Sequence, residues 1–288
     1  MDLSIIIVSY NTQQLLDDCL SSVFKSLKTS KLKFEVIVVD NNSSDGTREM
    51  LQKKFPQVRT VFNQENLGFG RANNQGIRIA KGNYVLFLNS DTVVLNNALD
   101  KLWRFAKQHP KAFIGPKLLN LDRSSQSSCG PFFSLPIVAA ALFLRGDKIG
   151  LTRWSPTKTR CVDWVSGACL LGPRKLLMDG LLFDEEIFMY MEEVDLLYRA
   201  KRQGYGTYFY PHSAIVHLGG GSSSNQKKGP VLNIYRGLTY FYRKHYSPWS
   251  LLILRLLLKL KAMLAWSIGM ITGNIYLKDT YAEAFRLV

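Results

Sequence analysis

Residues 3–11 read LSIIIVSYN and residues 34–47 read FEVIVVDNNSSDGT, and these two stretches decide the fold. Each holds an unbroken β-branched run, Ile5-Ile6-Ile7-Val8 and Val36-Ile37-Val38-Val39, which stops at residues that favour turns and helix starts. A strand that is apolar at every position, rather than every second one, is covered on both faces, as strands of a parallel sheet are.

Working outward, residues 12–27 predict a helix opened by Asn11 or Thr12 as N-cap, and Thr47–Lys54 and Gly70–Ala80 predict two more. Val58–Asn63 and Tyr84–Leu88 read as further strands. Strands alternating with amphipathic stretches imply an α/β fold, a mostly parallel sheet flanked by helices. Ligands of such sheets bind at the carboxyl ends of the strands. There this sequence places Ser9-Tyr10-Asn11, Asp40-Asn41-Asn42 and Asn89-Ser90-Asp91. Any one of these triplets is explained by capping and turn formation; three on one sheet edge point to a site.

Beyond residue 120 the periodicity dissolves, and loops and short helices that shape a binding site are expected to about 160. The apolar run Phe132–Leu144 is too short to cross a bilayer as a helix. Regular structure is expected again from Val162, with a helix over Glu192–Gln203. GGGSSSNQKKG at 219–229 reads as a flexible loop. A change to aromatic, basic and Leu-rich composition after it divides the chain into residues 1–230 and a C-terminal helical, amphipathic appendage, 231–288.

The charged share is an ordinary 20%, but 37 Lys and Arg against 22 Asp and Glu leave a formal net charge of +15. Such an excess implies an anionic partner. Cys19, Cys129, Cys161 and Cys169 form no CxxC pair and no zinc-ligand spacing, so they read as reduced thiols in the cytosol. Because residues 3–8 already read as a buried strand, with no basic stretch or small-residue cleavage site before them, no secretory signal is expected.

SIIIVSYN, VIVVDNNSSDGT, NLGFGRANNQG and YVLFLNSDT, in that order, resemble the nucleotide-binding half of family 2 glycosyltransferases, which have a GT-A (Rossmann-like) fold. WVSGACLLGPR and FDEEIFMYMEEVDLLYRAKRQGY are similar to that family's acceptor-side half, and the subgroup most resembled is the bacterial rhamnosyltransferase-like enzymes of cell-surface polysaccharide synthesis. The resemblance covers roughly residues 3–220. It implies an inverting, metal-dependent enzyme that moves a sugar from a nucleotide-diphosphate donor, dTDP-rhamnose or a UDP-sugar, to a saccharide or polyprenyl-linked saccharide hydroxyl.

Carried onto this sequence, the resemblance assigns Asp40 to reading a pyrimidine base, with Tyr10 stacking on it and Arg71 pairing with base or phosphate. Capping, for Asp40, and a solvent-facing helix position, for Arg71, are the plain alternatives. Ser9, Asn11, Asn42, Asn66 and Asn89 complete the donor side, and Gly167-Ala168 lines the donor sugar and acceptor. Asp91 is the expected ligand for Mn2+ or Mg2+, whose charge would offset that developing on the diphosphate. The family's Asp-x-Asp is here Asn89-Ser90-Asp91, so another ligand is needed; His217, between an apolar run and the Gly/Ser loop, is the candidate, and a packed histidine is the alternative. Proton removal from the acceptor falls to Glu193, with Glu192 as alternative. An acidic cluster complementing a helix N-terminus explains the same residues, and Asp195 reads as structural.

On a helical wheel of residues 252–264, Arg255, Lys259 and Lys261 share one half with Ala262, and Leu252, Ile253, Leu256, Leu257, Leu260, Met263 and Leu264 fill the other. This describes a helix lying in an anionic membrane interface, so the protein is expected to be cytoplasmic and peripheral on the inner face of the cell membrane. Core packing or a homo-oligomer contact is the alternative use of that face. A dinucleotide-dependent oxidoreductase is disfavoured because Ser9-Tyr10-Asn11-Thr12 stands where a GxGxxG loop belongs. No nucleic-acid partner is expected, since the basic residues are spread without a binding motif. A catalytically inactive GT-A-like scaffold, or nucleotide-binding protein of a polysaccharide assembly complex, is the remaining alternative; the carboxylates of Asp91 and Glu193 argue for activity.

Overall fold

The computed structural model describes residues 1–219 and 228–288. β1 (Leu3–Ser9), α1 (Gln13–Leu27), β2 (Phe34–Asp40), α2 (Thr47–Lys54), β3 (Arg59–Phe62), α3 (Phe69–Ile79) and β4 (Tyr84–Asn89) alternate as the sequence predicts, with ends displaced by a residue or two. β5 (Thr92–Val94), α4 (Ala98–Gln108) and β6 (Ala112–Leu119) follow. The aperiodic stretch forms β7 (Ser125–Gln126), β8 (Cys129–Gly130), α5 (Leu135–Phe143) and β9 (Arg160–Cys161). Then come β10 (Trp164–Val165), β11 (Cys169–Pro173), α6 (Arg174–Met178), α7 (Glu192–Arg202), β12 (Gly206–His217), α8 (Lys228–His245), α9 (Pro248–Thr272) and α10 (Ile275–Leu287).

The main sheet runs β3-β2-β1-β4-β11-β6-β12-β5. β1 is parallel to β2 and β4, and β2 to β3; β11 is antiparallel to its neighbours, and β12 is parallel to β6 but antiparallel to β5. Ile5, Ile6 and Ile7 are fully buried, the result of cover on both faces. Successive side chains point to opposite faces, so Ile6 and Phe87 join one core while Ile5, Ile7, Leu86 and Leu88 join the other with α1 and α4. α1 is capped differently from the expectation. Thr12 is its N-cap residue but makes no capping bond; the Gln13 N–H donates instead to Asp45 Oδ2 at 2.8 Å, across the loop after β2.

α8 sinks Leu238, Phe241 and Tyr242 into the same core as Ile6 and Phe87. α5, the apolar run, packs against α9. α9 buries a narrow seam of Leu254, Leu258, Ala262 and Ala265, turns at Gly273, and is followed by α10. Its Leu-rich half stays exposed, at Leu252, Ile253, Leu256, Leu260, Met263 and Leu264. Among the described residues no helix is long and apolar enough to cross a membrane. The expected loop at 219–229 lies, except at its ends, outside the described residues.

Candidate active site

Three strand ends and one helix start meet at the carboxyl edge of β4. β4 stops at Asn89, and the Ser90-Asp91 turn leads directly into β5. β12 pairs with β5 so that His217 stands opposite Thr92, and the Leu218 N–H donates to the Asp91 carbonyl at 3.0 Å. That pairing sets the imidazole against the turn: His217 Nε2 lies 3.4 Å from Asp91 Oδ1 and accepts from Asn89 Nδ2 at 3.4 Å.

The tautomer of His217 follows from Gln126, on β7. Its amide nitrogen donates to Asn120 Oδ1 at 3.0 Å and the His217 carbonyl at 3.2 Å, which turns Oε1 toward His217 Nδ1 at 2.7 Å. A proton on Nδ1 satisfies Gln126 and leaves Nε2 on the side of Asp91 and Asn89, the tautomer a metal-binding imidazole needs. Two ligands on one octahedral ion stand about 3 Å apart, close to the separation seen. Among the described residues, no group of three or more His, Cys, Asp and Glu is placed to hold an ion. The pair would suit a hard divalent cation if oxygens from outside the protein completed its shell.

Gly167 and Ala168 join this corner to the acidic one. The Asn89 N–H donates to the Ala168 carbonyl at 3.0 Å, and the Gly167 N–H donates to Glu193 Oε1 at 3.4 Å. Glu193 and Glu192 open α7, reached through Tyr190 (φ +68°) and Met191 (φ +77°). Left-handed backbone at two successive bulky residues is costly and persists only where the surroundings impose it. Glu192 is buried and its Oε2 has no hydrogen-bond partner. Burial, then the neighbouring Glu193 carboxylate, push its carboxyl well above the usual range. Burial also raises Glu193, opposed by backbone N–H groups at the helix start and at Gly167 and by the charge of Arg153.

The loop that aims these glutamates is fastened to the donor side. Asn74 on α3 exchanges two hydrogen bonds with the Phe183 backbone, both at 3.0 Å. Arg71 Nε donates to the Glu185 carbonyl at 3.0 Å, and Arg78 reaches Glu185 Oε1 at 3.2 Å.

The remaining candidates form the β1–β2 edge. Asp40 is buried and makes a turn: Oδ2 accepts from the Ser43 N–H at 3.0 Å and Oδ1 from the Ser43 hydroxyl at 2.5 Å. Each oxygen keeps a second acceptor position. Asn11 (φ +51°) stitches the two loops together, its Oδ1 accepting from the Ser44 N–H at 2.8 Å. Ser9 is fully buried, its hydroxyl 3.1 Å from that of Thr12. Asn66 Oδ1 accepts from Asn41 and from the Gly68 N–H, at 3.2 and 3.0 Å. Tyr10 and Asn42 lie exposed beside them. Gln126 and Arg153 escape a reading of the sequence because both stand in the aperiodic stretch, where no pattern marks them; Asn41, at a strand end, carries the same signal as its neighbours.

The sequence profile of glycosyl transferase family 2 matches residues 4–123. The chain is 27% identical over 267 residues to N-acetylglucosaminyl-diphospho-decaprenol L-rhamnosyltransferase of Mycobacterium tuberculosis, covering 86% of each. It is 34% identical over 126 residues to poly(ribitol-phosphate) beta-glucosyltransferase of Bacillus spizizenii, 42% of this chain and 20% of that one. The crystal structure of S. aureus TarS 1–349 in complex with UDP-GlcNAc superposes with a TM-score of 0.59 over 99% of this chain and 79% of that one, at 18% identity. Residues 4–123 match the family 2 domain, and the chain has the GT-A fold that it shares with TarS.

Proposed function

We propose that the protein moves a rhamnosyl or hexosyl group from dTDP-rhamnose or a UDP-sugar to a hydroxyl of a saccharide or polyprenyl-linked saccharide, with inversion at the anomeric carbon. The observation that carries this reading is the convergence of Asn89, Asp91 and His217 with Glu193 on either side of Gly167-Ala168. Asp91 and His217 would hold Mn2+ or Mg2+, and the bound ion would offset the charge developing on the leaving diphosphate. Tyr10 offers an exposed ring for a base, and the open acceptor positions of Asp40 suit a pyrimidine N–H.

Glu193 takes the proton of the attacking hydroxyl. Burial raises its proton affinity, which suits a general base. Glu192, buried with no hydrogen-bond partner on Oε2, is not set against Gly167 as Glu193 is. Attack from the face opposite the diphosphate needs one displacement and no covalent intermediate. The Mycobacterium relative is named for rhamnosyl transfer to a lipid-linked sugar, which supports that donor and acceptor class; TarS, crystallised with UDP-GlcNAc, supports a nucleotide-sugar donor.

In this reading residues 1–230 are the catalytic domain and 231–288 bring it to an anionic membrane surface on the cytoplasmic side. The exposed leucines of α9, with Arg255, Lys259 and Lys261 half-buried beside them, suit an interfacial position; pairing of this face with a second copy is the other use it allows. The test is turnover of dTDP-L-rhamnose, UDP-glucose and UDP-N-acetylglucosamine with Mn2+, with Mg2+ and with excess chelator. Turnover of one donor that chelator abolishes is expected. Full turnover in chelator sinks the metal assignment, and nucleotide binding without any turnover would favour an inactive scaffold.

A further inference from the structure

α8 touches the frame around the glutamates at three points: the Tyr190–Met191 elbow, Asp184 and Asp195. At Gly237 the helix backbone rests on the left-handed elbow: a Cβ there would lie 2.9 Å from the Tyr190 carbonyl oxygen and 3.0 Å from Met191 Cγ. Lys244 Nζ donates to Asp184 Oδ2 at 2.5 Å and to Asp195 Oδ1 at 2.9 Å, so one side chain ties the loop to α7. The Tyr240 hydroxyl adds a bond to Asp184 at 2.9 Å. His245 Nε2 donates to Asp195 Oδ1 at 2.7 Å, and the Asp195 N–H closes the first turn of α7 on the Met191 carbonyl at 2.8 Å.

We propose that α8 positions the base for transfer: Gly237, Tyr240 and Lys244, acting through the Tyr190–Met191 elbow and Asp195, hold the Glu193 carboxylate where it meets Gly167. The inference rests on Glu193 being the base. Two bulky residues keep left-handed backbone only under external constraint, and the α3 contacts end where the Phe69 N–H donates to the Phe188 carbonyl at 3.0 Å, two residues before the elbow. α8 supplies the constraint on the other side. Without it the elbow relaxes and the carboxylate moves; a shift of about 1 Å at a reacting group costs roughly 10²-fold in rate.

A double-mutant cycle tests this, with dTDP-L-rhamnose and UDP-N-acetylglucosamine as probes and nucleoside-diphosphate release as readout. Gly237→Ala is expected to lower kcat roughly tenfold or more, with donor KM within about twofold. In a Glu193→Gln background it is expected to cost nothing further. Tyr240→Phe, which removes one hydroxyl, is expected to lower kcat severalfold. Alanine favours helix over glycine, so a merely structural Gly237 would give unchanged kcat, and that result overturns the proposal. Equal losses in both backgrounds overturn it too, since the effect then bypasses Glu193. Wild-type turnover in Glu193→Gln alone removes the base assignment, and the proposal with it. Independently of turnover, amide exchange at residues 192–195 is expected to quicken in Gly237→Ala and Tyr240→Phe, and unchanged exchange in both counts against the proposal.

Discussion

The donor edge and the acidic edge of the site are built by different means. Up to Asn89, the polar candidates other than Asn66 and Arg71 stand at or just past the ends of β1, β2 and β4, placed by ladders between strands close together in sequence. Glu192 and Glu193 are aimed by a loop whose fastenings come from Asn74 and Arg78 on one side and from Tyr240 and Lys244 on the other. Local pairing makes the first edge robust. The second depends on a few side chains from distant elements, so single changes there should cost more and reach the chemistry directly.

Asp195→Ala is the sharpest way to probe that contrast. Asp195 is fully buried and faces Arg199, Lys244 and His245. Removing one partner of such a cluster leaves buried charge uncompensated, at about 3–5 kcal/mol. Asp45→Ala on the donor edge removes only the bonds to Gln13 and Thr47 at two helix starts, a capping loss of about 1 kcal/mol. Denaturant unfolding of both variants checks the difference, and equal losses would break the comparison. Burial alone would raise the Asp195 carboxyl, but the His245 hydrogen bond, the Arg199 charge and the hydrogen bonds from Lys244 and Arg199 hold it down at about 2. Because the folded value lies below the unfolded one, its contribution is full above about pH 4 and is lost as pH falls toward 2.

Gln126→Leu has an intermediate effect. It removes the partner that fixes the His217 proton on Nδ1, and loss of such support weakens metal affinity about 10- to 100-fold. A Mn2+ titration of turnover reads this directly, and an unchanged midpoint would separate Gln126 from the metal corner. The smallest effect belongs to the exposed face of α9. Leu260→Ser removes one leucine that no protein atom needs to cover, so affinity for anionic vesicles should fall about fivefold, near 1 kcal/mol, with catalysis in solution unchanged. Equal vesicle binding would move the membrane contact elsewhere.

The same contrast governs what the sequence could reveal. Apolar runs ending in Ser9, Asp40 and Asn89 announce both the strands and the edge where ligands sit, because period and turn chemistry are local signals. The segregated wheel of residues 252–264 is local in the same way, and the face it marks is the face left open. Gln126, Arg153 and the elbow at Tyr190–Met191 carry no such mark: their places depend on β12, α3 and α8, which no window around them contains. The capping of α1 by Asp45 rather than Thr12 has the same origin, since a loop more than thirty residues away supplies the acceptor.

The central claim is that Glu193 takes the acceptor proton opposite the departing diphosphate. It is tested most directly by single-turnover transfer in Glu193→Gln and Glu192→Gln, with donor affinity, pH dependence and product configuration measured together. The account predicts a loss of roughly 10²-fold or more in Glu193→Gln with donor affinity kept, and most of the rate retained in Glu192→Gln, where glutamine resembles the protonated acid. It predicts an acid limb in the wild-type profile above the usual carboxylate range, because burial raises Glu193, absent from Glu193→Gln, and an inverted anomeric centre. A severe loss confined to Glu192→Gln, or a product of retained configuration, would contradict it.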